Sequence, residues 1–182
     1  MDAVRPGSPL SRPVFSWRDL TRPALYWGGM VPAAWAFYLG FTDQLGADPV
    51  KSLEHTLGLW ALRFLIVGLA ITPLRRLGGP NLVRYRRAIG LVAFFYVCLH
   101  LAVYVSFDLG FNFTAVWKDI VKRPYITIGM LAFVLLIPLA ITSNNAMVKR
   151  LGAQAWQKLH RLVYAAALLG AIHFVWLVKS RF

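Results

Sequence analysis

The sequence predicts an all-α integral membrane protein, a bundle of five transmembrane helices with its N-terminus in the cytoplasm. Three observations carry that expectation. Of 182 residues, 58% are hydrophobic, and the mean hydropathy is +0.57, too apolar for an ordinary soluble domain. The apolar residues gather into five runs of about 17 to 20 residues, each long enough to cross a hydrocarbon core roughly 30 Å thick. The 20 Lys and Arg outnumber the 7 Asp and Glu, for a net charge of +13. Those basic residues sit between the apolar runs, which is how membrane topology is written. That spacing argues against nucleic acid as the reason for the charge.

Residues 1–23 read as a polar N-terminal tail ahead of a membrane domain at 24–182. The tail carries Arg5, Arg12, Arg18, Arg22 and four prolines. It lacks the continuous apolar core of a signal peptide, and a short surface-lying piece is expected around Phe15–Trp17. Ala24–Phe41 is the first run, with Tyr26, Trp27, Trp35 and Tyr38 towards its ends, as suits the membrane–water interface. Pro32 inside it is tolerated in membrane helices. Thr42–His55 reads as a polar connection, with Gly46-Ala47-Asp48-Pro49 as a turn. Leu57–Leu74 is the second run and encloses Arg63. Leu77–Arg87 is a basic loop, and Ala88–Phe107 is the third run, carrying Cys98, His100 and Tyr104. Asp108–Arg123 reads as an amphipathic or irregular connection. Tyr125–Ile141 is the fourth run, Thr142–Lys158 a polar loop, and His160–Val178 the fifth run.

Basic residues set the orientation. With the N-terminus inside, thirteen fall in cytoplasmic segments: four in the tail, five from Arg75 to Arg87, and Lys149, Arg150, Lys158 and Arg161. Six fall outside, and Arg63 lies within a run. The imbalance favours N-terminus in and C-terminus out.

The chemistry is carried by histidines at matched depth. The stretch from Gln154 to Trp176 is an apolar helix with His160 at its start and His173 thirteen residues on, roughly 20 Å along the axis. His100 lies thirteen residues past Arg87 on the third run. His100 and His173 therefore share one level in the outer half of the bilayer. An imidazole in hydrocarbon is costly and marks a functional site by default. Two of them on separate helices can ligate a haem iron from opposite faces. Ala166 and Gly170 lie at i−7 and i−3 from His173 and leave room for a flat ring. Ala93 sits at i−7 from His100, and Tyr96 and Tyr104 flank it at i±4.

Cys98 is the only cysteine, so an intrachain disulfide, a thiolate cluster and the two attachments of a c-type haem are all ruled out. Haem b is the consistent cofactor. Two packed polar side chains bonding neighbouring helices remain an alternative. A zinc or iron transport site would want carboxylates, and the runs hold almost none. His160, at the cytoplasmic boundary beside Lys158 and Arg161, fits an inner haem, a propionate, a flavin phosphate or plain solvation. His55 reads as a solvated loop position or a weak ligand candidate. Arg63 fits either a haem propionate contact or snorkelling to the headgroups.

Several strings carry a resemblance. Leu159-His160-Arg161-Leu162-Val163-Tyr164, followed by His173-Phe174-Val175-Trp176, resembles the ferric-reductase-like transmembrane family. Leu45–Lys51, Ala61–Leu65, Ile71–Leu74, Arg86-Arg87 with Gly90-Leu91, Leu99–Leu101 and Arg123–Gly129 are similar to the haem-binding membrane subunits of methionine sulfoxide reductase systems, over roughly residues 25 to 180. The resemblance implies an inner-membrane subunit with haem b and FMN. It implies electrons drawn from a cytoplasmic flavin reductase or the quinone pool. Those electrons would pass to a periplasmic molybdopterin methionine sulfoxide reductase that repairs oxidised proteins. The family's haem-associated positions match His100, His160 and His173. Relatives commonly carry a sixth helix, whereas the sequence stops after the fifth run. No residue is assigned as general acid or nucleophile, so catalysis is expected on the partner. The alternative is a membrane ferric or cupric reductase. A self-sufficient one would need a nucleotide-binding domain, and no glycine-rich fingerprint follows a strand anywhere.

Overall fold

The computed structural model describes residues 17–179, with side chains from Thr21 onward. The tail through Ser16, with most of the surface-lying piece expected around Phe15–Trp17, lies outside the described residues. The chain is helical nearly throughout, with no strand among the described residues. Four segments are long and apolar enough to cross a membrane: Pro49–Arg76, Val83–Asp108, Pro124–Ile141 and Ala153–Lys179.

The first helix, α1 (Trp17–Phe41), begins inside the stretch read as tail and runs through Pro23 and Pro32. It is not one of the four apolar spans, because Tyr, Trp, Pro and Gly dilute its apolar run. It is nevertheless the fifth helix of the bundle by packing. Ala33 and Ala36 are buried in one cluster with Leu57 and Ala61 of the second helix and Val92 and Tyr96 of the third.

The second helix, α2 (Pro49–Arg76), starts eight residues before the expected Leu57. Asp48 caps it, its carboxylate accepting from the Lys51 N–H at 3.2 Å, with Pro49 in the first turn. The Asp-Pro pair read as a turn is a helix start. That correction makes Glu54 and His55 helical. A short 3₁₀ turn (Val83–Tyr85) leads into α3 (Arg86–Val103), which ends in a π turn over Tyr104–Asp108.

The connection after it holds an amphipathic helix, α4 (Phe113–Lys122), capped by Asn112. Its exposed edge carries Phe113, Trp117 and Val121 at a four-residue spacing. Next comes α5 (Pro124–Ile141). The expected polar loop at 142–158 is instead largely helical, with α6 (Asn145–Leu151) and α7 (Ala153–His160). Gly152, at φ +80°, separates them in a conformation that suits glycine. A turn at Arg161 joins α7 to α8 (Leu162–Lys179).

The most extensive contacts are α2 on α3 and α5 on α8. The two pairs meet where Leu65, Ala93, Leu136, Leu139 and Ala166 are buried together. Small residues at Ala93 and Ala166, both fully buried, let the pairs approach, as is usual between membrane helices. The site lies between the two pairs, beside this seam, sharing Leu65, Leu136 and Ala166 with it.

Candidate functional site

A cavity of about 350 Å³ opens between the two helix pairs. Leu62, Leu65, Val97, Phe133 and Leu136 give it apolar walls, while Lys51, His55, Asp108 and Arg123 stand at its polar end. Its size and lining are those of a small-molecule or cofactor pocket. His100 from α3 and His173 from α8 both line it, as do Ala166 and Gly170.

The two imidazole centroids are 6.3 Å apart, with ring planes at 73°. Each ring is fixed by the helix paired with its own. His100 Nδ1 donates to the Glu54 carbonyl of α2 at 2.9 Å. His173 Nδ1 donates to the Tyr125 carbonyl of α5 at 2.6 Å. A carbonyl can only accept, so each Nδ1 carries a proton, and in the neutral ring Nε2 is then the nitrogen with the lone pair. No hydrogen-bond partner holds either Nε2 among the described residues. Two imidazoles on one cavity, each with Nδ1 committed and Nε2 left over, are the arrangement of a metal-ligand pair. A carbonyl on the far nitrogen is the usual way such a ligand is oriented.

The spacing tests the fit. A metal–nitrogen bond of about 2 Å, plus roughly 1 Å from nitrogen to ring centre, puts two imidazoles on opposite sides of one metal at a centroid separation of roughly 6 Å. The observed 6.3 Å agrees. Among the described residues no group of three or more His, Cys, Asp or Glu is placed to hold a metal ion. Bare zinc asks for four ligands and finds two. A metal carried in a cofactor that supplies its other ligands would need only this pair.

The remaining candidates are placed as follows. His55 lines the cavity mouth, its ring 5.3 Å from Phe174 of α8. His160 lies outside the cavity. Its ring stacks on Trp156 at 3.7 Å, and its Nδ1 donates to the Trp156 carbonyl at 3.0 Å. Trp156 in turn donates its indole N–H to the Thr142 carbonyl at 2.8 Å. Arg87 approaches the same indole and bonds Asn145 at 2.7 Å. Arg63 is exposed, its guanidinium 4.9 Å from the Trp60 ring. It does not line the cavity, so the structure does not bring it to the histidine pair. Of the two tyrosines expected beside His100, Tyr104 lines the cavity. Tyr96 turns the other way and bonds α1.

Sequence reasoning missed the polar end. In the sequence Lys51 and Arg123 read as topology signals and as members of the resemblance strings, and Glu54 as part of a polar connection. The Asp48-Pro49 cap was the signal that could have put Glu54 and His55 on a helix. Tyr104 donates to Asp119 of α4 at 3.0 Å, and Asp119 pairs with Arg123 at 3.4 Å. Arg123, whose pKa is raised by the Tyr125 hydroxyl it bonds, stays cationic there.

Fold and site together define a membrane helical bundle with a facing histidine pair fit for a metal-bearing cofactor. Residues 57–171 match the ferric reductase-like transmembrane component family, and the chain belongs to that family. It is 58% identical over 156 residues to a protein of Brucella anthropi named protein-methionine-sulfoxide reductase heme-binding subunit MsrQ, covering 86% of this chain and 70% of that one. A Brucella ovis protein of the same name is 57% identical over the same lengths.

Proposed function

We propose that this chain is the haem b-binding electron-transfer subunit of a methionine sulfoxide reductase system in a bacterial inner membrane. The observation that carries the reading is the 6.3 Å pair of His100 and His173 with both Nδ1 atoms already committed. The name of its relatives supports the same reading. His100 and His173 would hold the iron through Nε2, and the Glu54 and Tyr125 carbonyls keep the rings turned for it. When bound, the haem supplies one-electron redox chemistry.

The chain's own residues do the rest. The apolar walls keep water from the site, and both ligation and burial set the potential. The carboxylate-binding role expected of Arg63 falls better to Lys51 and Arg123, which line the cavity. With the N-terminus inside, the histidine pair lies towards the periplasmic side, and the basic segments Arg75–Arg87 and Lys149–Arg161 face the cytoplasm. Those segments suit the phosphate of FMN or of a flavin reductase's product, with the quinone pool as the other donor. His160, beside Trp156 and Arg87, belongs to this inner end as a further haem-associated position. Electrons leave for a periplasmic molybdopterin methionine sulfoxide reductase, the catalytic partner that repairs oxidised proteins. No residue of this chain acts as acid, base or nucleophile.

The test is the visible spectrum of the detergent-purified protein. A low-spin b-type Soret and α band is expected, and H100A and H173A should each abolish it. A colourless preparation, or a spectrum unchanged by both substitutions, refutes the ligand pair. Reduction of ferric or cupric salts by the protein and reduced flavin alone, without a partner, would instead favour a metal reductase.

A further inference from the structure

We infer that Gly58 and Gly129 are positioning residues for the two histidines, with Gly129 the stricter of the pair; the inference deepens the proposed function and rests on it for the role of the rings. The two helix pairs repeat one arrangement. On α2, Gly58 lies one turn after Glu54, whose carbonyl holds His100. On α5, Gly129 lies one turn after Tyr125, whose carbonyl holds His173. A turn of helix places residues i and i+4 side by side on one face. The glycine therefore sits directly beside the carbonyl and leaves a notch for the ring that bonds it.

The notch is tight. A Cβ on Gly129 would stand 2.9 Å from His173 Nδ1, 3.0 Å from Cε1 and 3.2 Å from Cγ. A Cβ on Gly58 would stand 3.3 Å from His100 Nδ1 and 3.4 Å from Cε1. The first is closer than real contacts allow, and the second asks the ring to give by a few tenths of an ångström. Neither ring is a free end, since each is tied to a carbonyl at one nitrogen. A ring pushed off its glycine must loosen that bond or carry Nε2 out of the cavity. Both outcomes matter at a site where ligand geometry is held within about 0.5 Å. Among the described glycines only these two would set a Cβ against an imidazole; the other tight ones, Gly29 and Gly79, meet Val92 and Leu74. A Cβ on Gly170 would meet only Leu62, at 3.9 Å, and one on Gly90 would meet nothing within 4 Å.

Two arms test this, both on the full chain in detergent. In the haem-loaded protein, G129A should weaken haem retention and shift the ferric low-spin resonance signals. The loss is about 10- to 100-fold, as for other groups that orient metal-bound histidines. G58A should do so by less, and G90A not at all. After haem extraction, thermal midpoints are compared for G129A, H173A and the double variant. Alanine is the better helix former, so a penalty in G129A points to tertiary contact, and His173 is the nearest group to the new Cβ. That penalty should vanish once residue 173 is alanine. If G129A does not fold, G58A with H100A gives the same cycle. An equal penalty with and without the imidazole, or none at all, overturns the inference. A wild type that carries no haem sinks the proposed function yet leaves the haem-free cycle decisive for the notch.

Discussion

Replacing Tyr96 by phenylalanine tests how the bundle accommodates a proline in a membrane helix. Tyr96 is fully buried. Its hydroxyl accepts from the Ala33 N–H at 2.9 Å and donates to the Gly29 carbonyl at 2.7 Å. Gly29 and Ala33 are four apart, so an undisturbed turn would bond them to each other. Pro32 sits in that turn, lacks an N–H and crowds the carbonyl of Gly28. The Tyr96 hydroxyl thus bridges a donor and an acceptor of the turn that proline loosens, and it ties α1 to α3 while doing so. Each buried bond contributes about 0.5–1.5 kcal/mol net, although side-chain bonds between membrane helices average nearer 0.6 kcal/mol. Partial reclosure of Ala33 onto Gly29 offsets some of the loss. Y96F should therefore cost about 1–2 kcal/mol, read as a drop of roughly 2–4 °C per kcal/mol in the thermal midpoint of the detergent-solubilised protein. In a P32A background the turn can close on itself, and the cost should shrink by half or more. An unchanged midpoint in Y96F, or the same cost with and without Pro32, would refute the bridging role.

Two further outcomes follow from the polar contacts at the ends. Y104F removes the bond from the π turn after α3 to Asp119 of α4; amide exchange across Phe113–Lys122 should then quicken by about two- to tenfold, the equivalent of one such bond. Unaltered exchange would mean that Asp119 and Arg123 hold α4 without it. At the start of the last apolar span, W156F keeps an aromatic ring on His160 but loses the indole bond to the Thr142 carbonyl. It should cost about 1 kcal/mol, and W156A, which also loses the stack, should cost more. Equal thermal midpoints for the two variants would show that the stack contributes nothing.

The sequence by itself determined the membrane class, because five long apolar runs and the basic residues between them need no tertiary partner to be read. It also brought His100 and His173 to one level, since thirteen residues of helix fix depth whatever the neighbours do. It could not say which way those side chains turn. Helix phase relative to a neighbour is decided by packing, and so is the choice of partner. That is why Tyr104 faces the cavity and Tyr96, two turns away, faces α1. Arg63 was legible as costly, yet only the packed bundle shows it against Trp60 and outside the cavity. The carbonyls that hold the rings carry no side-chain signature at all. Any residue at position 54 or 125 offers the same oxygen, so only the close pairing of α2 with α3 and α5 with α8 could reveal them. The glycines opposite were visible as letters, but their purpose appears only where an imidazole fills the space a methyl group would take.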